Sequence, residues 1–234
     1  MRNGGYPMGT TLVEHAAQQL VALIKNQRLG AGDKLPTESE LTELLAVGRG
    51  TVREAVKVLT SRNILEVRQG SGIFVSAKGG VPEDPLGLTL LAHQDKIALD
   101  LLDIRLMIEP ELASMAAVRR TPEQLCQLQT QCQAVEQLIL AGAEYGKEDV
   151  CFHQILAQCS GNLVVGRLVP IINSSVYASI DLTENLNARD TVQEHRAIVA
   201  AVERHDFSGA RWAMTVHLNT SRSSMIQRLD GKVQ

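Results

Sequence analysis

Four residues in the second half of the chain have the types and spacing of ligands to a metal ion. Asp149 and His153 are four residues apart in EDVCFH, which predicts that both side chains share one face of a helix. His195 and His217 lie in two later segments with helical periodicity. Three imidazoles and a carboxylate suit a borderline divalent metal, and we expect zinc, with nickel, manganese or iron as alternatives. Any one of these histidines alone is more typical of a hydrogen-bonded core or surface residue.

Two arginines in the first part of the chain indicate a second kind of chemistry. Arg49 and Arg53 are one turn apart near the start of a predicted helix and therefore share a face. The helix dipole favours acidic side chains at a helix start, so we expect a partner outside the chain to need these two charges. Guanidinium groups suit a guanine edge or a bidentate phosphate contact, and the Thr51 hydroxyl can add a contact to phosphate.

The segments around these arginines have the pattern of a winged helix-turn-helix. Thr37 predicts a helix start with a capping box to Glu40, and the next helix begins at about Arg49. ILEVRQGSGIFV then alternates apolar and polar residues around a Gly-Ser-Gly turn, which predicts a hairpin whose Arg68 could enter the minor groove. Such a fold presents its third helix to the major groove of DNA. The alternative is a surface amphipathic helix with solvated arginines and an unrelated hairpin.

The rest of the chain has the helical period in nearly every long segment. These segments predict an all-α antiparallel bundle of roughly six or seven helices. Thr121 predicts the N-cap of one helix, with proline at its first position, and Pro110 is expected to bend or divide another. The fold class is therefore mainly α. We expect a DNA-binding domain at 1–77, a linker at 78–88 that contains Gly and Pro, and a helical domain at 89–234.

Composition and charge exclude several classes of protein. At 234 residues the chain is long enough for two ordinary domains, and an aromatic content of 3% favours helices over β-sandwiches. Residues 1–76 contain nine Lys or Arg and seven Asp or Glu, whereas the remainder contains 14 and 19. No run approaches the roughly 18 apolar residues of a membrane span, so no membrane partner is expected. Four cysteines without a CxxC pair indicate reduced thiols in a cytoplasmic protein.

The stretch KLPTESELTELLAVGRGTVREAVKVLTSRNILEVRQGSGIFV resembles the GntR family of bacterial transcription regulators. The shared features are a Leu-Pro-x-Glu entry, Val-x-Arg-x-x-Val-Arg-Glu-Ala over the recognition helix, and a Gly-x-Gly wing. The resemblance implies that Arg49 and Arg53 read the operator and that Gly70 is the wing glycine. Gly48 and Gly50 stand where polar residues are usual in the family. Both glycines lack a side chain that could contact DNA, so we do not expect the operator sequence to be the same as in other members.

Three further stretches, EDVCFHQILAQCSGN, EHRAIVAAVERHD and ARWAMTVHL, resemble the signature segments of the FCD ligand-binding domain. This domain is found in the FadR-type branch of the GntR family. In its metal-binding members the ion is held by an Asp-x-x-x-His pair, the histidine of a Glu-His pair and a histidine on the last helix. The resemblance therefore implies that Asp149, His153, His195 and His217 are the metal ligands.

DIRLMIEPELASMAA resembles the opening helix of the same domain. The resemblance implies that Arg105 pairs with an effector carboxylate, and the alternative is a salt bridge to Glu109 one turn later. Asn162 matches the family's Ser-Gly-Asn, and we expect it to cap a helix. Three other polar residues lie on segments that could line the same cavity: Thr191, Asn173 and Ser174.

The leading hypothesis is a one-component transcription regulator, which we expect to be a repressor because repression is the commonest mode in the family. A homodimer would hold two DNA-binding heads on a pseudopalindromic operator. A small organic or sugar acid bound at the metal would change the affinity of the protein for that operator. One alternative is a metalloenzyme built on the aspartate and the three histidines. Another is a regulator whose metal is purely structural.

Overall fold

The computed structural model describes residues 11–81, 84–172 and 188–232 of the chain. The chain separates into two units, Met1–Leu86 and Gly87–Gln234, and each has its own core of buried apolar side chains. Both units are mainly helical, which confirms the predicted fold class. Within the described residues, no helix has both the length and the apolar stretch that crossing a lipid bilayer requires.

Three helices form most of the N-terminal unit, and capping residues set where they begin. They are α1 (Leu12–Asn26), α2 (Glu38–Leu45) and α3 (Arg49–Ser61). Thr37 caps α2 as predicted: the Glu40 backbone N–H donates to Thr37 Oγ1, and the Thr37 backbone N–H donates to the Glu40 carboxylate at 2.7 Å. Gly48 occupies the N-cap position of α3 and provides no side-chain hydrogen bond.

The predicted hairpin follows α3 as a two-stranded antiparallel sheet. Strand β1 (Leu65–Arg68) pairs with β2 (Gly72–Val75), with Arg68 opposite Gly72. The Leu35 backbone N–H donates to the Ile73 carbonyl at 2.8 Å, which ties the sheet to the segment before α2. The inner face of α3 is apolar, as the sequence predicts, and its buried residues are Val52, Ala55, Val56 and Leu59.

The C-terminal unit contains six α-helices within the described residues, after a 3-10 turn at Leu88–Leu90. They are α4 (Gln94–Arg119), α5 (Pro122–Leu140), α6 (Gly146–Cys159), α7 (Val165–Ile172), α8 (Ala188–Glu203) and α9 (Phe207–Lys232). Thr121 caps α5, which confirms the predicted helix start. Of the bend or division expected at Pro110, the division is wrong, because α4 continues through it as one helix, and the bend stays a prediction. Pro110 is itself buried among buried neighbours on α4, and this packing offsets the loss of one backbone donor.

Helices α4 and α9 lie antiparallel to each other along the bundle. Arg222 Nε donates to Asp103 Oδ1 at 2.6 Å, and Arg211 pairs with Glu111 nearer the other end of α4. In the interior of the bundle, buried side chains of α4 and α9 pack with those of α6 and α8. That interior holds large apolar side chains such as Phe152 together with several buried polar ones.

Candidate metal centre and DNA-binding surface

Three histidines from three different helices converge in the interior of the C-terminal unit. His153 lies on α6, His195 on α8 and His217 on α9, and one ring nitrogen of each lies within 4.8 Å of the other two. The Nε2 atoms of His153 and His217 are 3.3 Å apart. Each residue is 3% exposed or less, so water has little access to these nitrogens. The structure thus brings together the three imidazoles that the sequence singled out.

Asp149 borders this three-histidine cluster. It shares a face of α6 with His153, as its spacing predicts, and its Oδ2 lies 3.7 Å from His153 Nε2. Its Oδ1 lies 3.4 Å from His195 Nε2. Two ligands held about 2.1 Å from a tetrahedral ion are about 3.4 Å apart. The 3.3 Å between the His153 and His217 Nε2 atoms therefore fits two ligands of one ion, whereas Asp149 approaches two histidines through different oxygens and does not belong to the group whose donor atoms all lie within 4.8 Å of one another.

Two glutamates that the sequence analysis did not assign to the centre contact two of these histidines. Glu109 Oε2 on α4 lies 2.7 Å from His153 Nδ1, and Glu194 Oε2 on α8 lies 2.9 Å from His217 Nδ1. Carboxylates in this position orient metal-binding imidazoles and raise their basicity. No local spacing rule could have found either contact, because each joins residues on different helices.

The electrostatics of these contacts determine which ring nitrogens are available. Burial raises the pKa of Glu109, but Arg105 and His153 outweigh it and hold that pKa well below the ordinary value. Burial likewise raises the pKa of Glu194, and hydrogen bonds with His217 and Thr220 bring it below the ordinary value. Both carboxylates are therefore ionised at neutral pH and can only accept hydrogen bonds.

The tautomer of His217 follows from this. The ionised Glu194 carboxylate accepts a hydrogen bond from Nδ1, so His217 presents an unprotonated Nε2 to His153, whose own Nδ1 makes no hydrogen bond among the described residues. Burial lowers the pKa of His153, which keeps the ring neutral. The lone pair of His217 Nε2 is directed at His153 Nε2, 3.3 Å away, which is close to the separation of two ligands of one tetrahedral ion.

His195 completes the donor set and has the least satisfied ring. It stacks on Phe152 with centroids 3.9 Å apart and planes 14° from parallel. Burial, together with the nearby His217 and His153, holds the pKa of His195 well below its ordinary value. Neither of its ring nitrogens has a hydrogen-bond partner within the described part of the chain. A buried ring nitrogen without a hydrogen-bond partner destabilises the folded state. Coordination to a metal ion would give one of the two ring nitrogens of His195 a partner. The donor set thus fits a divalent metal.

Arg105 makes the salt bridge that was the alternative to its effector role. Its Nε donates to Glu109 Oε1 at 2.7 Å, and its Nη2 approaches Glu109 Oε2 at 3.4 Å. Arg105 is only 2% exposed. Its Nη1 makes no hydrogen bond among the residues that the structure describes. The N–H groups on Nη1 of Arg105 are therefore available to donate to another acceptor.

The remaining polar candidates have different outcomes. Asn162 caps α7 as expected, because its Oδ1 accepts from the Val164 and Val165 backbone N–H groups at 3.0 and 3.3 Å. Thr191 is buried on α8. Asn173 and Ser174 lie outside the described residues.

The outer face of α3 carries the arginines expected to contact DNA. Arg49 and Arg53 are exposed, and Thr51 is partly exposed between them. Arg53 Nε donates to Glu38 Oε2 on α2 at 2.7 Å. The first turn of α3 has neither an acidic residue nor a side-chain cap. Its backbone N–H groups are therefore available to an anion such as phosphate.

The hairpin tip is shaped by glycine and by a cation over an aromatic ring. Gly70 has a φ of +71°, in the left-handed region that side chains disfavour. The Arg68 guanidinium lies 4.4 Å from the centre of the Phe74 ring, and its Nε donates to Glu66 Oε1 at 3.1 Å. These contacts hold Arg68 beside the turn while leaving about half of its side chain exposed.

Two family models match the chain. The model of bacterial regulatory proteins of the gntR family matches residues 12–75, and that of the FCD domain matches residues 100–220. The chain belongs to the GntR family. It is thus a transcription regulator with an FCD ligand-binding domain, as the sequence predicted, and the metalloenzyme alternative is wrong.

Similar proteins support this assignment over most of the chain. The HTH-type transcriptional repressor NanR of Escherichia coli is 30% identical, over 89% of this chain and 82% of that protein. The HTH-type transcriptional regulator YcbG of Bacillus subtilis is 29% identical, over 95% of this chain and 93% of that protein. The solved structure of Streptococcus agalactiae GntR superposes with a TM-score of 0.81 at 40% identity, covering 90% of this chain and 99% of that chain.

Proposed function

We propose that this regulator is a homodimeric, cytoplasmic repressor that binds a small organic or sugar acid at a divalent metal, zinc above the alternatives. Acid binding would change its affinity for operator DNA. The observation that carries the proposal is the convergence of three buried imidazoles beside Asp149. The buried guanidinium of Arg105 lies near the same cluster, since its charge contributes to the lowered pKa of His195.

The buried charges support a divalent ion over a monovalent one. Around the three-histidine cluster, the formal charges are one positive, from Arg105, and three negative, from Glu109, Asp149 and Glu194. Two negative charges thus have no counter-charge among these groups. Buried charges without compensation are strongly unfavourable, and a divalent cation would balance them.

The same groups support an acidic effector. A metal ion held by these ligands would supply an open position for an oxygen of the acid. Arg105 would orient the acid through the guanidinium donors that Glu109 does not use, as arginine commonly does with carboxylates. Burial of Arg105 keeps water away from that contact and strengthens it. Hydroxy acids, sugar acids and dicarboxylates all carry the required anionic oxygens.

On the DNA side, Arg49 and Arg53 would contact base edges or phosphates from α3, and Thr51 would contact phosphate. Arg68 and the backbone at Gly70 would enter the adjacent minor groove. One helix-turn-helix head reads one half-site, and a dimer reads two half-sites about one turn of DNA apart. The repressor role follows the E. coli NanR relative, whose name describes it as a repressor.

The first experiment measures the metal content of the purified full-length chain by mass spectrometry. Thermal unfolding is then followed with a panel of acids, with and without a chelator. We expect a stoichiometric metal and one class of acid that stabilises only the metal-loaded protein. His195→Gln should abolish both effects, whereas His93→Asn, which changes an exposed histidine outside the cluster, should leave both intact.

A second measurement separates an effector site from a structural metal. Operator fragments are selected from genomic DNA with the wild-type protein, and their affinity is measured by fluorescence anisotropy with and without the stabilising acid. A change in affinity supports the sensor. If chelation melts the protein and no acid changes DNA affinity, the metal is structural and the sensor proposal is wrong.

A further inference from the structure

The segment before α2 pairs with the hairpin of β1 and β2, which we call the wing. The Val75 backbone N–H donates to the Asp33 carbonyl at 2.9 Å, and the next residue, Lys34, forms an antiparallel bridge with Phe74. Residues paired in this way have their side chains opposite each other on one face of the sheet. Lys34 therefore belongs to the surface of the wing, although it precedes α2 and α3 in the chain.

The Lys34 side chain lies across Gly72, at the end of β2 next to the turn. A Cβ atom built on Gly72 would lie 2.9 Å from Lys34 Cε and 3.6 Å from Lys34 Nζ. A side chain at this position would push the lysine away, whereas glycine leaves room for it. Gly72 pairs with Arg68 across the sheet, so the Lys34 ammonium lies at the same end of the wing as Arg68.

Two cations at this end of the wing share one aromatic ring. Lys34 Nζ lies 5.9 Å from the centre of the Phe74 ring, and Arg68 Cζ lies 4.4 Å from it. Glu66 pairs with Arg68, whereas Lys34 is exposed and makes no salt bridge among the residues that the structure describes. The Lys34 charge is therefore available to an anion outside the chain.

We infer that Lys34 contacts a backbone phosphate of the operator, at the border of the minor groove that the wing enters. The inference rests on the proposed placement of Arg68 and Gly70 on DNA. An ammonium group suits a phosphate contact because it acts as a point charge without a fixed donor geometry. Such a contact positions the wing on the duplex and carries no sequence information.

The alternative is that Lys34 only protects the edge of the sheet. Exposed lysines commonly prevent an edge strand from pairing with another chain. Both roles need an exposed charge, but only the phosphate contact changes how DNA binding depends on salt. Each phosphate that a protein neutralises in B-DNA adds about 0.9 to the slope of log affinity against log salt concentration.

Lys34→Met tests the inference, because methionine keeps an unbranched stem and removes the charge. Full-length proteins are titrated by fluorescence anisotropy, over a range of salt concentrations, with a selected operator duplex and a scrambled duplex. We expect similar weakening on both duplexes and a salt slope that is shallower by about 0.9 for each bound head. Lys34→Arg should restore the slope. Lys25→Met, in the last turn of α1, is the matched control and should keep the wild-type slope.

Neutral methylphosphonates then locate the contact on the DNA. Each duplex carries one methylphosphonate in place of one phosphate of the operator. At one position in each half-site, this change should weaken binding of the wild type and cause no further loss in Lys34→Met. If every phosphate that matters to the wild type matters equally to Lys34→Met, the inference is wrong.

A wild-type salt slope in Lys34→Met would also overturn the inference. Thermal unfolding checks that the variant is folded, and Lys34→Gln is a second neutral variant if methionine disturbs the fold. Arg68→Gln shows whether the proposed function fails as well. Unchanged DNA binding in Arg68→Gln would overturn the placement of the wing, whereas weakened binding there with no effect at Lys34 would overturn the Lys34 contact alone.

Discussion

Glu38 on α2 holds Arg53 on α3 through a single bond, from Arg53 Nε to Glu38 Oε2 at 2.7 Å. Both side chains are substantially exposed, at 64% for Arg53 and 40% for Glu38, so the pair adds little to stability. Its effect is on orientation. With Nε engaged, the two terminal nitrogens of Arg53 make no hydrogen bond within the described residues and lie on the outer face of the recognition helix.

We therefore expect Glu38→Gln to reduce sequence discrimination more than DNA affinity. The substitution frees the guanidinium and also removes a negative charge near the DNA phosphates, which favours non-specific binding. The ratio of affinities for a selected operator and a scrambled duplex should fall. Glu43→Gln is the control, because it removes an equal charge from the exposed side of α2 without touching Arg53. Equal ratios for the two variants would show that Glu38 does not position Arg53.

Loss of either recognition arginine should weaken operator binding. Arg49→Ala and Arg53→Ala should each cost about 1–3 kcal/mol of binding free energy if the arginine contacts a base edge. The measurement is an anisotropy titration on the selected operator at two salt concentrations. Lys25→Ala, in the last turn of α1, removes the same charge away from α3 and should have a much smaller effect. If all three variants bind equally, α3 is not the recognition helix.

Two glycines near the DNA-binding surface should respond to alanine with opposite signs. Gly70 has a φ of +71°, so Gly70→Ala should destabilise the protein by about 1–2 kcal/mol. Gly50 lies inside α3 with nothing within 4 Å of an added Cβ, so Gly50→Ala should stabilise it by up to about 1 kcal/mol. Denaturant unfolding of both variants provides the comparison. A shift of the same sign in both would contradict the conformational argument.

Bound metal should stabilise the protein by mass action. At a free Zn2+ concentration about 100 times the Kd, linkage predicts about 2.7 kcal/mol of added stability. Titrating metal into chelator-stripped protein while following thermal unfolding checks this. His217→Gln should remove the dependence on metal, and a dependence that survives in this variant would mean that the ion binds elsewhere.

The four thiols should differ in reactivity by position. Cys126 is exposed, whereas Cys132 and Cys159 are buried, and burial raises the pKa of each of these two to about 11. The thiolate is the reactive form, so a disulfide reagent at pH 8 should modify Cys126 quickly and the buried pair only on unfolding. Cys126→Ser should remove the fast phase and leave Cys151, which is partly buried and has a pKa raised by burial, to react more slowly. A fast phase that persists would require one of the other thiols to be accessible.

Local sequence patterns were sufficient to predict several helix starts, the hairpin and the family of this protein. A threonine with an acid or amide three residues later fixed the starts of α2 and α5, because a capping box needs only neighbouring residues. Alternation around Gly-Ser-Gly determined the hairpin, and i,i+4 spacing placed Asp149 and His153 on one face. The motifs of the recognition helix and of the FCD segments were sufficient to predict the family.

The tertiary structure alone decided which of these residues support one another. Glu109 reaches His153 from another helix, Glu194 reaches His217 across 23 residues, and Glu38 reaches Arg53 across 15. Such pairs depend on how whole helices pack, and no periodicity within one segment records that. The side chains of a metal centre can be named from a sequence. The ring nitrogen that each one presents is set by partners that only folding brings within hydrogen-bond distance.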